Sequence, residues 1–275
     1  MALSGSRSII LCGPDFAPSA IQLFNCQNCR SAICVLIKKQ LVSGEISVPF
    51  FFYNFQYLLF IAPALILGMI AQFWLRNAYA KAMKQAAPLS GAAAARHILD
   101  SAGLHNVAIE RIGGQLSDHY DPKAKVLRLS PDVYSERTAA AVGIAAHEAG
   151  HAIQDARHYA PLIIRNIAVP AAGIGSNAGI LLLIIGLIFQ LNFLLYAGIA
   201  LFSCVVFFQL INLPVEFNAS SRAKAILVDL NIVPREEMPA VRNVLSAAAL
   251  TYVAATLQSI LTLMYYIMLA SNRRD

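Results

Sequence analysis

Long apolar stretches alternate with polar blocks along this chain. The first strong one runs from about Phe50 to Leu75 and is interrupted by Pro63 and Gly68. The second covers Ile167 to Ile188, the third about Phe193 to Leu213, and the last Ala247 to Ala270. Each approaches or exceeds the ~20 apolar residues a helix needs to cross a bilayer, where Pro and Gly are tolerated. The pattern divides the chain into an N-terminal extension (1–47), a first span (48–75), a polar block (76–165), a spanning hairpin (166–213), a second polar block (214–245), and a last span with its tail (246–275). Pro214 is expected to close the third span.

Shorter periods organise the first polar block. Ser90 is an N-cap candidate for a helix that closes near Gly103. Val107 to Glu110 reads as a short strand, broken by Gly113-Gly114, and Leu116 to Pro122 as a polar loop. Lys125-Val126-Leu127-Arg128-Leu129 alternates charged and apolar positions like an edge strand, which either pairs with an extended substrate or is an ordinary edge blunted by its Lys and Arg. Pro131 sits in the first turn of a further helix. Thr138 to Gln154 reads as a long Ala-rich helix.

Composition agrees with this pattern. Only 13% of the 275 residues are charged, against about 25% in an average soluble domain. The net charge of +6 is best read as a topology signal. With no Gly-rich phosphate loop and no aromatic-basic motif, no nucleic-acid partner is expected. Arg76, Lys81, Lys84, Arg157, Arg165, Arg222, Lys224, Arg235 and Arg242 fall on one side of the membrane, while Phe189-Gln190-Leu191-Asn192 on the other is uncharged. The positive-inside rule places the polar blocks in the cytoplasm, against the votes of Lys38-Lys39 and Arg273-Arg274. The extension lacks a signal-peptide pattern. It reads as disordered or as lying upstream of the true start, and its Cys26, Cys29 and Cys34 lack a fourth ligand at metal-site spacing.

His147-Glu148-Ala149-Gly150-His151 carries the chemistry. Residues i and i+4 share one helical face, so His147 and His151 can hold one Zn²⁺ while Glu148 serves its water as general base. Gly150 costs a helix about 1 kcal/mol relative to Ala, so something is expected to pack closely there. A catalytic zinc takes three protein ligands and leaves one position open. Two membrane crossings return Glu216 to the zinc side, just past a span. Glu216 is then either the third ligand or an acid placed at a helix start by the macrodipole.

Several segments resemble the neutral zinc metallopeptidase family of bacterial membrane proteins. They are Ser117 to Pro122, Leu127 to Tyr134, Ala145 to Gln154, Leu213 to Ser220 and Ala247 to Ala255, in that order, so the resemblance covers about residues 50–270. It implies a zinc peptidase of the gluzincin kind at the bacterial inner membrane, with Glu216 as third ligand. The expected fold is a mainly α membrane protein of about four transmembrane helices. A zincin-like α+β cytoplasmic catalytic part would carry the short edge strand. Relatives often place an Asp four residues after that Glu. Here Ser220 stands in its place, so Asn218 or Ser220 is a candidate partner for a zinc histidine. His119, Tyr120, Tyr134 and Arg222 are candidate donors to the transition-state oxyanion. The expected partners are the lipid bilayer and a polypeptide substrate, membrane-associated or misfolded. The competing reading is a non-proteolytic membrane protein with a structural or vestigial zinc site. A transporter would require charges within the spans, where essentially none stand.

Overall fold

The computed structural model describes residues 47–114 and 117–272, with side chains from residue 55 onward. The expected extension and its cysteines lie outside these residues, apart from residue 47. The chain is mainly helical, with one small sheet. Its elements are α1 (Ser47–Ala82), α2 (Gly91–Ser101), β1 (Ala108–Arg111), β2 (His119–Asp121), β3 (Val126–Leu129), α3 (Pro131–Ser135) and α4 (Ala139–Ala156). There follow α5 (Ala160–Ile174), a π-helical turn (Gly175–Gly179), α6 (Ile180–Ile188), α7 (Asn192–Asp229) and α8 (Met238–Ser271).

Four helical stretches are long and apolar enough to cross a membrane: Phe55–Ala82, Ala160–Ile188, Asn192–Asp229 and Met238–Ser271. They expose large apolar side chains such as Phe73, Ile167 and Phe193, which a soluble surface would not carry in such density. Small residues let the hairpin close. A Cβ on Gly186 would stand 2.6 Å from the Leu195 nitrogen, so only glycine admits that backbone approach. Asn177 donates to the Gly173 carbonyl within its own helix, beside a matching bond from Ser176 at the π-helical turn.

Pro214 does not end the third span. α7 runs through it for another four turns, to Asp229. Proline removes one helical hydrogen bond, and packing against α4, α5, α6 and α8 holds the helix together around it. Glu216 therefore stands mid-helix, which removes the macrodipole explanation for an acid at this position.

The local signals in the polar block are largely obeyed. Ser90 accepts from the Ala93 N–H and Thr138 from the Ala141 N–H, capping α2 and α4. α4 is buried on nearly every side, and its alanines and glycines let α2, α7 and α8 approach it. The core around it includes Ile98, Leu99, Leu127, Leu129, Val133, Val142, Leu227 and Val241.

The strands depart from expectation. The sheet order is β1-β3-β2, with β1 parallel and β2 antiparallel to β3. Val126–Leu129 is thus the central strand. Leu127 and Leu129 are fully buried, which rewards pairing on both edges. A substrate cannot add to this strand. Part of the expected polar loop, His119–Asp121, is instead the outer strand β2.

Candidate metal centre

α4 and α7 together build the site. The i, i+4 spacing sets the His147 and His151 rings edge to face, 4.8 Å between centroids, on the side of α4 that meets α7. Glu216 presents its carboxylate to both rings from α7. Its Oε2 lies 3.2 Å from His147 Nε2 and 3.6 Å from His151 Nε2. One donor atom from each residue falls within 4.8 Å of the others.

This spacing fits a tetrahedral metal. Ligand atoms about 2.05 Å from zinc stand about 3.3 Å apart along a tetrahedral edge. The donors are two imidazoles and a carboxylate, a set known from catalytic zinc sites, and within the described residues the group has three members.

The outer ring nitrogens are held away from the metal position. Gln154, fully buried, donates from Nε2 to the Val215 carbonyl (2.9 Å) and to Asn218 Oδ1 (3.0 Å). Its Oε1 is then free only to accept, and it does so from His151 Nδ1 at 2.9 Å. Nδ1 therefore carries a proton, which leaves Nε2, the nitrogen on the Glu216 side, as the atom a neutral ring offers to a metal. Ser220 Oγ makes the equivalent contact with His147 Nδ1 at 3.1 Å. Ser220, at the position where the resemblance leads one to expect an Asp, thus touches the outer nitrogen of His147. Arg222 donates from Nε to Asn218 Oδ1 at 2.7 Å and extends the chain of bonds behind His151. Burial alone would lower the His151 pKa, but Glu216, Glu148 and Gln154 outweigh it and raise it above the ordinary imidazole value.

Close packing of the two helices depends on Gly150. A Cβ there would stand 2.9 Å from the Ala219 carbonyl oxygen, so the glycine inside the motif is where α7 presses on α4.

A cavity of about 140 Å³ opens onto the cluster. It is lined by Asp118, His119, Tyr120, Pro122, His147, Glu148, His151, Leu162, Arg165, Glu216 and Tyr252. Glu148 is nearly buried in its wall. His119 and Tyr120 reach it from β2. The Tyr120 hydroxyl donates to Asp155 Oδ2 at 2.9 Å, and burial together with that bond pushes the phenol pKa up. His119 engages the Ser117 carbonyl through Nδ1. Tyr134 packs against the core and does not line the cavity, and neither does Arg222. Gln154, Arg165 and Tyr252 are site residues that sequence reasoning passed over. Gln154 was one turn beyond the motif histidine, while Arg165 had counted only as a topology charge. Nothing local marks Tyr252, which comes from α8.

The profile of a family described as Putative neutral zinc metallopeptidase matches residues 57–271. A relative from Bacillus subtilis (strain 168), named Putative membrane protease YugP, is 45% identical over 214 residues, covering 77% of this chain and 95% of the relative. No solved structure matches. The chain belongs to the neutral zinc metallopeptidase family.

Proposed function

We propose that this family member is a membrane-bound zinc metalloendopeptidase that hydrolyses peptide bonds of membrane-associated or misfolded polypeptides. The observation that carries the reading is the meeting of donor atoms from His147, His151 and Glu216 within 4.8 Å of one another, with Glu148 in the lining of the same cavity.

His147, His151 and Glu216 would hold the zinc through the Nε2 atoms and a carboxylate oxygen. When bound, zinc supplies a Lewis acid that polarises a carbonyl oxygen and makes water acidic near neutral pH. Glu148 takes a proton from the attacking water and passes it to the leaving amine nitrogen as the peptide bond breaks. Gln154 keeps His151 in the tautomer and orientation that ligation requires, and Ser220 holds the orientation of the His147 ring. β2, the outer strand beside the cavity, offers the edge along which an extended peptide can lie.

The family and the relative's name support a protease, and a group of three protein donors leaves room for substrate where a structural zinc site is usually closed by four. The cations flanking the spans support a site on the cytoplasmic face of the bacterial inner membrane.

The test is zinc content and casein cleavage of the purified protein. Glu148→Gln should keep stoichiometric zinc and lose turnover, and Glu216→Ala should lose zinc. Full activity in Glu148→Gln, or unchanged zinc in Glu216→Ala, would sink the assignment. A cysteine at position 224 should be labelled by an impermeant reagent in inverted vesicles and not in intact cells.

A further inference from the structure

Arg165 is the one Lys or Arg lining the cavity, and within the described residues no ion pair or side-chain hydrogen bond holds it. Its Nε is buried and unpartnered. Burying a guanidinium donor without an acceptor is costly, so such a group calls for an explanation. The neighbouring carboxylates do not supply one. Asp118 is engaged by the Ser130 N–H and hydroxyl and Glu216 by both histidines, and Glu148, the third carboxylate on the cavity, forms no ion pair with Arg165 among the described residues.

The reaction proposed above lacks a donor for the oxygen that gains charge when the carbonyl is attacked. The expected candidates are compromised. The Tyr120 hydroxyl already donates its hydrogen bond to Asp155. Tyr134 and Arg222 do not line the cavity. His119 Nδ1 faces the Ser117 carbonyl, an acceptor, so its proton lies there and a neutral ring leaves Nε2 as an acceptor. A guanidinium is charged at every working pH and has several N–H donors.

Resting on the peptidase reading, we infer that Arg165 is a catalytic residue that donates hydrogen bonds to the scissile carbonyl oxygen as it becomes an oxyanion. α5 carries Arg165 at the mouth of a membrane-crossing stretch, so the charge is held by the helix that bounds the cavity and not by a mobile loop. Snorkelling toward lipid phosphate is the competing use of an arginine at this depth. The burial of its Nε, and its place in the lining of the cavity that Glu148 and His151 also line, favour the cavity.

The experiment compares wild type with Arg165→Lys and Arg165→Gln in lipid-free detergent. It measures zinc content, thermal unfolding, kcat and KM on a peptide, and binding of a phosphinic peptide, whose tetrahedral anionic group mimics the transition state. The phosphinate and a matching uncleaved amide are titrated into the Glu148→Gln background. Losing one oxyanion donor costs about 10²–10³-fold in kcat. The expected result is a fall of that size in Arg165→Gln with KM little changed. Phosphinate binding should weaken far more than amide binding, zinc should be retained, and Arg165→Lys should recover part of the loss. Normal kcat in both variants, or equal weakening of phosphinate and amide, would overturn the inference while leaving the peptidase reading intact. Loss of zinc in the variants would overturn it too, by making Arg165 structural. A wild-type protein that holds zinc but neither cleaves nor binds the phosphinate would remove the peptidase reading itself, and this inference with it.

Discussion

Gly150→Ala tests how the metal centre is assembled, because it adds one methyl group between the helices that bring the ligands together. The new Cβ would lie 2.9 Å from the Ala219 oxygen, 3.4 Å from its Cα and 3.5 Å from its carbonyl carbon. Ordinary contact begins at 3.4 Å, so α4 and α7 must part by about 0.5 Å. None of these three obstacles is a flexible side-chain end, since all are backbone atoms. Removing a helical glycine favours the folded state by about 1 kcal/mol, while overpacking costs about 1–3 kcal/mol, so the net destabilisation is about 0–2 kcal/mol. Zinc binding should suffer more than stability does. Metal–ligand distances tolerate only about 0.2 Å, and the opening falls between His151 on one helix and Glu216 on the other. The expected loss of zinc affinity is about 10–100-fold, the scale seen when a ligand's supporting partner is removed. The assay is competitive zinc titration against a chromophoric chelator, with thermal unfolding in parallel. Gly173→Ala is the control, because a Cβ there meets nothing within 4 Å. A stable Gly150→Ala protein with wild-type zinc affinity would refute the argument that this glycine sets the distance between the ligand helices.

Gln154→Leu should lower zinc affinity about 10–100-fold, read by the same titration, because His151 loses the acceptor that fixes its tautomer and the Val215 carbonyl loses a donor. Ser220→Ala should weaken zinc binding by a smaller factor, since it frees only the outer nitrogen of His147. Chelation of the metal should lower the unfolding temperature as well as abolish cleavage, with re-addition of zinc restoring both, as mass action on the folded state requires. Arg128 holds the Asp121 carboxyl at about 2. A depressed carboxylate contributes its stability above the ordinary carboxylate pKa and loses it as pH falls through the folded value, so this pair weakens between about pH 4 and pH 2. Arg128→Ala should move the Asp121 titration, followed by carboxyl NMR, up toward the ordinary value.

Much of this protein is written in short-range patterns. Apolar runs locate the spans, because lipid demands an uninterrupted apolar helix surface. Ser90 and Thr138 mark their helices by capping, a contact three residues long. The i, i+4 histidines share a face by helical period alone, so His147, Glu148 and His151 are legible without any tertiary information. Glu216 required more: counting crossings brought it to the correct side, yet Pro214 suggested a helix end that packing overrode. The order of the strands was illegible, because an alternating pattern on β3 does not say how many edges are paired, and the full burial of Leu127 and Leu129 decided it. Only the fold could bring Arg165 and Tyr252 to the cavity beside the metal centre, join Gln154 to Val215 and set Ser220 against His147. Gln154 and Val215 are 61 positions apart and His147 and Ser220 are 73, and no local period couples residues at such separations. The sequence by itself determined the ligand chemistry and the membrane setting, since both follow from residue type and helical period. The tertiary structure decided which polar groups surround the metal position, because that depends on where one helix surface presses against another.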